Sequence, residues 1–320
     1  MERIWVNLPQ KPRLICLLYP VGGTEEDVLS SNGSIAIIAS EQYLLMRREI
    51  KNYEIVLYHD DIEPAVSDIL VVMTCLPLVP EYVLRKFSNA VYFFDDLNIW
   101  RLKSDAAYHT RMDNVKAVLH PVKNVADRLA RDTAIPTFHV PWSISRLPDN
   151  PPKKSKEPSF FVDMDARPGH LNSILYGIEF IRAIRPLEAP VYIPKSAHAE
   201  VPPELLSYVT EASTMPHDEF LMFLSHKWFY VSGISGSYEY SILESAFLGC
   251  GLISLYSAVV EEHRARSFFL NYEGQAGFLD ELKQALLDFD PGKIASEARA
   301  IYPNDAVAKI PDILNSVFRG

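Results

Sequence analysis

Short unbroken apolar runs recur along the chain, each followed by a glycine, proline or acidic loop and then by a helix-length segment of mixed polarity. In the first half RLICLLY (13–19), EIVLY (54–58), ILVVM (69–73), AVYFF (90–94), KAVL (116–119) and TFHV (137–140) predict strands. Continuous apolar runs, rather than alternation, belong to strands covered on both faces, so the sheet is expected to be mostly parallel with helices on either side. Between the runs, Ile35, Ile38, Ala39, Tyr43 and Met46 keep helical spacing and predict a helix over 34–48. Segments 80–87 and 122–131 read as further helices. The stretch PDNPPKKSKEP has no core-forming residue and reads as a linker.

After it the pattern restarts. SFFV (159–162) and PVYI (190–193) predict strands, 208–210 a third, and Ile174, Leu175, Ile178 and Ile181 mark a helix over 171–184. A short helix over 217–224 leads into WFYVSGISGSYEYSILESAFLGCGLISLY (228–256). This stretch reads as a buried strand, a small-residue loop, a helix over 241–248 with Glu244 in its first turns, a Gly249-Cys250-Gly251 stop and another strand. Helices over 279–289 and 306–318 follow. The expected organisation is an α/β chain of two Rossmann-like domains, 1–148 and 159–320, joined by a linker over 149–158, with the last helix packing back on the first domain. In open α/β sheets ligands sit at the carboxyl ends of the strands, so the loops after each run are where chemistry is sought.

Composition narrows the function classes. The 320 residues are 48% hydrophobic with a net charge of −10, and acids outnumber bases in both halves. Such a chain lacks the basic field that supplies non-specific nucleic-acid affinity. Cys16, Cys75 and Cys250 are far apart and odd in number, which fits a reducing compartment and not a thiolate metal site. The opening MERIWVNLPQKPR has no apolar core of a signal peptide, and the apolar runs are too short to span a bilayer. A cytoplasmic protein is expected; Arg47, Arg48 and Lys51 offer either peripheral contact with the inner membrane face or simply a solvated helix face.

The order of these features resembles GT-B glycosyltransferases, in particular the large group related to bacterial retaining hexosyltransferases. HPVKNVADRL and IPTFHVPWSIS resemble the segments closing that family's first domain, and HDEF (217–220) the helix before its donor strand. VSGISGSYEYSILESAFLGCGLIS resembles its donor loop, glutamate helix and glycine turn. The resemblance implies two domains facing across a cleft, transfer of a sugar from a UDP- or GDP-linked donor, retention of configuration, and neither a resident cofactor nor a metal. It implies that Glu244 accepts hydrogen bonds from the ribose hydroxyls, a task suited to a carboxylate facing a vicinal diol. Two positions depart from the family: Gly236 stands eight before Glu244, where an acid is usual, and no lysine follows Arg167 near Leu171 or Asn172.

Other candidates stand on residue chemistry. Ser235, Gly236, Ser237 and Tyr238 offer backbone N–H groups and hydroxyls at a helix start, which suit phosphate or sugar oxygens. Arg167 follows a strand and binds oxyanions bidentately, with Lys195 as a second cation. Gly22 and Gly23 end the first strand, on the acceptor side. Asp95 and Asp96 leave a buried strand at its carboxyl end, where a carboxylate can serve as base or stabilise developing positive charge. His120 stands equivalently after the next strand, and His59 after an earlier one. Each has an ordinary alternative: capping for the aspartates, a surface pair for Arg167, a structural ring for the histidines. Asp163-Met164-Asp165 matches the metal-holding motif of the GT-A class. Trp100, Trp142 and Tyr108 are aromatics available for stacking on an acceptor. The expected acceptor is a glycan, a lipid-linked glycan or a small molecule. A non-catalytic GT-B-like partner subunit and a nucleotide-sugar epimerase are the competing functions.

Overall fold

The computed structural model describes residues 11–30, 34–94, 110–144, 147, 153–164, 171–233, 240–255, 266–303 and 305–318. The chain divides into two compact units, Met1–Ser145 with Pro303–Gly320, and Arg146–Tyr302.

The first unit carries β1 (Arg13–Leu17), β2 (Glu54–Leu57), β3 (Ile69–Val72), β4 (Ala90–Phe93), β5 (Val115–His120) and β6 (Thr137–His139), in the order β2-β1-β3-β4-β5-β6. Every described pairing is parallel. Helices α1 (Glu25–Ser30), α2 (Ser34–Glu49), α3 (Glu81–Lys86) and α4 (Lys123–Asp132) connect them. β3 and β4 are buried at every residue, whereas the edge strands β2 and β6 are only half-buried. This is the burial that continuous apolar runs require of central strands. The C-terminal segment belongs to this unit: Ser143 Oγ donates to Pro303 O at 2.6 Å, and Tyr53 Oη to Asn315 Oδ1 at 3.4 Å. Its expected single helix over 306–318 is a 3₁₀ turn, Ala306–Lys309, followed by a helix over Ile310–Phe318.

The second unit carries β7 (Phe160–Asp163), α5 (Leu171–Ile184), β8 (Val191–Pro194), α6 (Lys195–His198), β9 (Val209–Ala212), α7 (His217–Ser225), β10 (Phe229–Ser232), α8 (Tyr240–Phe247), β11 (Gly251–Leu255), β12 (Phe269–Tyr272), α9 (Phe278–Leu287) and α10 (Pro291–Ile301). The strand order is β12-β11-β10-β7-β8-β9, again parallel throughout. Phe160 and Phe229 stack at 5.4 Å on neighbouring strands, and Phe180, Tyr272 and Phe278 close edge-on around them. α8 stops where Gly249 takes φ +77, with the N–H of Cys250 reaching back to Ser245 O at 2.8 Å. A Cβ there would stand 2.6 Å from Pro291 O, so the stop also seats the start of α10.

Three features depart from the sequence reading. β12 is an additional edge strand, and α10 begins at Pro291-Gly292, a pair that reads as a break. Asp290 caps that helix by accepting from the N–H groups of Gly292 and Lys293, and proline is at home in the first turn. Trp142 is not available for stacking on an acceptor: it is 1% exposed and packs against Phe94 in the first core. Among the described residues no helix is long and apolar enough to cross a membrane. Arg47 pairs with Glu25 and Arg48 with Glu49, while Lys51 donates to the Arg48 carbonyl.

The first unit's β1 is pinned at its start by Arg13, whose guanidinium donates to Asp68 Oδ2 at 2.5 and 3.1 Å while Ala65 N–H donates to the same oxygen at 2.7 Å. Burial pushes the Asp68 carboxyl up, but these donors outweigh it and hold it below the usual carboxylate value. A folded-state value below the unfolded one stabilises above the ordinary carboxylate range and is lost as pH falls through the lowered value. Asp68→Asn is therefore expected to cost on the order of 1–3 kcal/mol at neutral pH, the range for removing a charged partner from a buried bonded group. The same substitution should weaken the acid-side fall in stability. Urea melts of both proteins between neutral and acid pH check both effects.

Candidate functional site

Both sheets reverse their strand order once, and a crevice opens at the carboxyl ends of the two strands where the connections part. In the first unit these strands are β1 and β3; in the second they are β7 and β10.

The β7/β10 crevice has the more constrained floor. The N–H of Gly233, just past β10, donates to Asp163 O at 3.1 Å. A Cβ at 233 would lie 2.9 Å from both Asp163 O and Ser173 Oγ, so only glycine lets the strand end approach so closely. Tyr230 Oη donates to Asp163 Oδ2 and lies 2.8 Å from Ser241 Oγ. The phenol has one proton and gives it to the carboxylate, so Ser241 is the donor in the second bond. This chain of three ties β7, β10 and the first turn of α8 together.

Beside this floor a cavity of about 260 Å³ is lined by Phe161, Asp163, Lys195, Thr214, Met215 and Phe220, among others. It lies at the carboxyl ends of β7, β8 and β9. Lys195 opens α6 there, exposed, with its ammonium 3.8 Å from Glu211. The loop after β9 passes the cavity and ends at His217, the first residue of α7. His217 Nε2 lies 2.7 Å from Glu244 Oε1, with the two side chains 17% and 2% exposed. The two atoms face each other closely without the alignment of a regular hydrogen bond. Glu244, on the second turn of α8, is thus a buried carboxylate met by a residue from a neighbouring helix.

In the first unit Gly22 and Gly23 follow β1. Gly22 has φ +77 and faces Asp60 Oδ2, and Asp60 Oδ1 accepts from Tyr58 Oη at 2.9 Å and Tyr82 Oη at 3.3 Å. His59 is exposed next to them. His120 is fully buried, and Val122 N–H donates to its Nδ1 at 3.1 Å, which shapes the turn between β5 and α4. Burial holds its pKa down to about 4, so the ring is neutral near neutral pH. Asp95, Asp96, Arg167, Ser235, Gly236, Ser237 and Tyr238 lie outside the described residues, as do Asp165, Trp100 and Tyr108.

Of the sequence candidates, Lys195 lines the cavity in the second unit and Glu244 lies on the helix after β10, while Gly22 and Gly23 follow β1 in the first. His217, Tyr230 and Ser241 were not singled out by sequence. Tyr230 and Ser241 hid inside an apolar strand and a helix start, and His217 passed as the first residue of a helix. The Asp-x-Asp comparison gives way: Asp163 is engaged by Tyr230, and the two-sheet topology is not that of a GT-A protein.

No protein-family model and no curated protein matches the chain. Solved structures do. A sucrose-phosphate synthase from Thermosynechococcus elongatus superposes with a TM-score of 0.63 at 11% identity over 96% of this chain and 99% of the other. AviGT4, a glycosyltransferase involved in avilamycin A biosynthesis, gives 0.59 at 11% identity over 95% and 93%. The pneumococcal O-GlcNAc transferase GtfA, solved with UDP and GlcNAc, gives 0.54 at 11% identity over 89% and 61%. With the two parallel six-stranded sheets, these likenesses define the fold: a two-domain α/β protein of the GT-B class.

The close approach at Gly233 yields a stability test. Gly233→Ala drives a methyl against a carbonyl oxygen of β7 that the sheet holds in place, so an overpacking cost of about 1–3 kcal/mol is expected. Chemical denaturation checks it; a variant as stable as the parent would mean that β7 and β10 part without penalty.

Proposed function

We propose that the chain is a glycosyltransferase that moves a sugar from a nucleotide-diphosphate donor to an acceptor. The observation that carries the reading is Glu244. On a GT-B fold, a buried carboxylate stands on the helix after β10, beside the strand-order reversal of the second sheet. A carboxylate there suits a ribose diol, accepting from two hydroxyls at once. The adjacent cavity, with Phe161 and Phe220 in its wall, suits a flat base. Arg167 and Lys195 are the cations proposed for the diphosphate, and Ser235 to Tyr238 supply N–H groups and hydroxyls to its oxygens. The donor is UDP- or GDP-linked; GtfA was solved with UDP. The acceptor, a glycan, lipid-linked glycan or small molecule, is assigned to the first unit near Gly22 and Gly23, with Asp95 or Asp96 as the proposed base or charge stabiliser. His120 is the weaker choice for that task, since its ring is buried and engaged in a turn. Transfer needs no metal in this reading and keeps the anomeric configuration.

Titration calorimetry with UDP and GDP tests the donor assignment. One of them is expected to bind, and Glu244→Ala to weaken it by about tenfold or more, the loss of a charged acceptor being worth roughly 1.5–3 kcal/mol. Unchanged binding in the variant removes Glu244 from the site. Gly236 in place of the family's first acid favours a second reading, a non-catalytic partner subunit. Donor turnover that survives a chelator and is abolished by Arg167→Ala would be incompatible with it.

A further inference from the structure

Glu244 is held by a residue that the donor reading does not include. His217 comes from α7 and Glu244 from α8, and the 2.7 Å contact between them bridges two helices that follow successive strands of the sheet. Its neighbours Asp218 and Glu219 are exposed, so the ring turns from the solvated acids of its own helix toward the buried one of the next. A glutamate has three rotatable bonds, and a carboxylate 2% exposed is costly to keep charged without a compensating group. His217 answers the first need. It places a nitrogen on Oε1, and its own backbone is set at the helix start by Pro216 in an extended conformation, φ −55 and ψ 156. The loop that lines the cavity ends at this same histidine, so the wall of the cavity and the orientation of Glu244 are mechanically linked.

We propose that His217 is a positioning residue for nucleotide recognition: by engaging Oε1 it fixes the rotamer in which Glu244 presents its carboxylate to the ribose diol. This deepens the donor reading above and rests on it. A purely structural His217 would support the fold and affect all nucleotides alike. A positioning His217 affects those that carry the diol, because the role proposed for it acts through the Glu244 carboxylate.

The experiment is calorimetry on the full chain with UDP and GDP, and with dideoxy-UDP and dideoxy-GDP, which lack both ribose hydroxyls. His217→Ala is expected to weaken the ribonucleotide about tenfold, the order of one charge-assisted contact, and to leave its dideoxy counterpart unchanged. His217→Gln, whose amide N–H reaches the same oxygen, should restore most of the preference, and His217→Asn, one methylene shorter, should not. In turnover the donor KM should rise while kcat holds. Equal loss on both nucleotides, or no loss on either, overturns the positioning role while leaving the donor site standing. A parent chain that binds neither UDP nor GDP overturns the donor reading and this inference with it. Should the alanine variant not fold, the Gln and Asn pair carries the test: a diol preference equal in the two overturns the proposal, and one kept only by Gln supports it.

Discussion

The second unit depends on how closely two strand ends approach each other. β7 and β10 pair in register from Phe160 opposite Phe229 to Asp163 opposite Ser232, and the chain then has to leave in two directions. Gly233 lets the backbone stay hydrogen-bonded to Asp163 for one residue more, where any Cβ would collide with a carbonyl and with Ser173. The Asp163–Tyr230–Ser241 chain then carries that fixed point into α8. Glu244 lies one turn further on. A displacement of the strand ends would therefore move the carboxylate, so packing in the sheet sets the geometry of the site.

The two crevices are built from different materials. In the second unit the acidic group nearest the crevice floor, Asp163, is consumed by a phenol, and Glu244 is buried against a histidine. In the first unit Asp60 is exposed, shared by two tyrosines and next to a glycine with no side chain to cover it. A buried carboxylate held in one rotamer suits a ligand group that is the same in every donor. An exposed one among tyrosines suits varied hydroxyls, since it can be rehydrated at little cost when they are absent. Under the proposed function this contrast fits a fixed donor and a separately chosen acceptor.

Most of the fold was legible because central parallel strands write themselves as continuous apolar runs. RLICL, ILVV, AVYF and FYVS are buried nearly throughout, and sequence placed each. β12 failed that test for a physical reason. As an edge strand it is only half-buried, and FLNY carries no longer apolar run. The helix at Pro291 was missed because proline followed by glycine reads as a break, although Asp290 makes it a capped first turn. The burial of Trp142 is not legible because a single large residue after a proline has no periodicity to reveal it. At the site, the resemblance pointed to Glu244. His217 was beyond reach: 27 positions separate the pair in sequence, and nothing in HDEF says which element its ring meets.

The missing lysine after Arg167 changes how a diphosphate would be held. Two negative phosphates need more than one cation at close range, and a loop of backbone N–H groups supplies only partial charge. Lys195 is the nearest described cation on the cavity wall. Its present partner, Glu211, is 3.8 Å away, and both side chains are over a third exposed. Exposed pairs of this kind are worth about 0–1 kcal/mol, so little is lost when the ammonium turns to another anion. A lysine on α6 can thereby take over part of a task that the family usually gives to a lysine placed nearer Arg167. It would do so from the cavity side and not from the start of α5. In the proposed donor site the positive charge would then come from two different strand ends, and its grip would fall with salt more steeply than that of a single buried arginine.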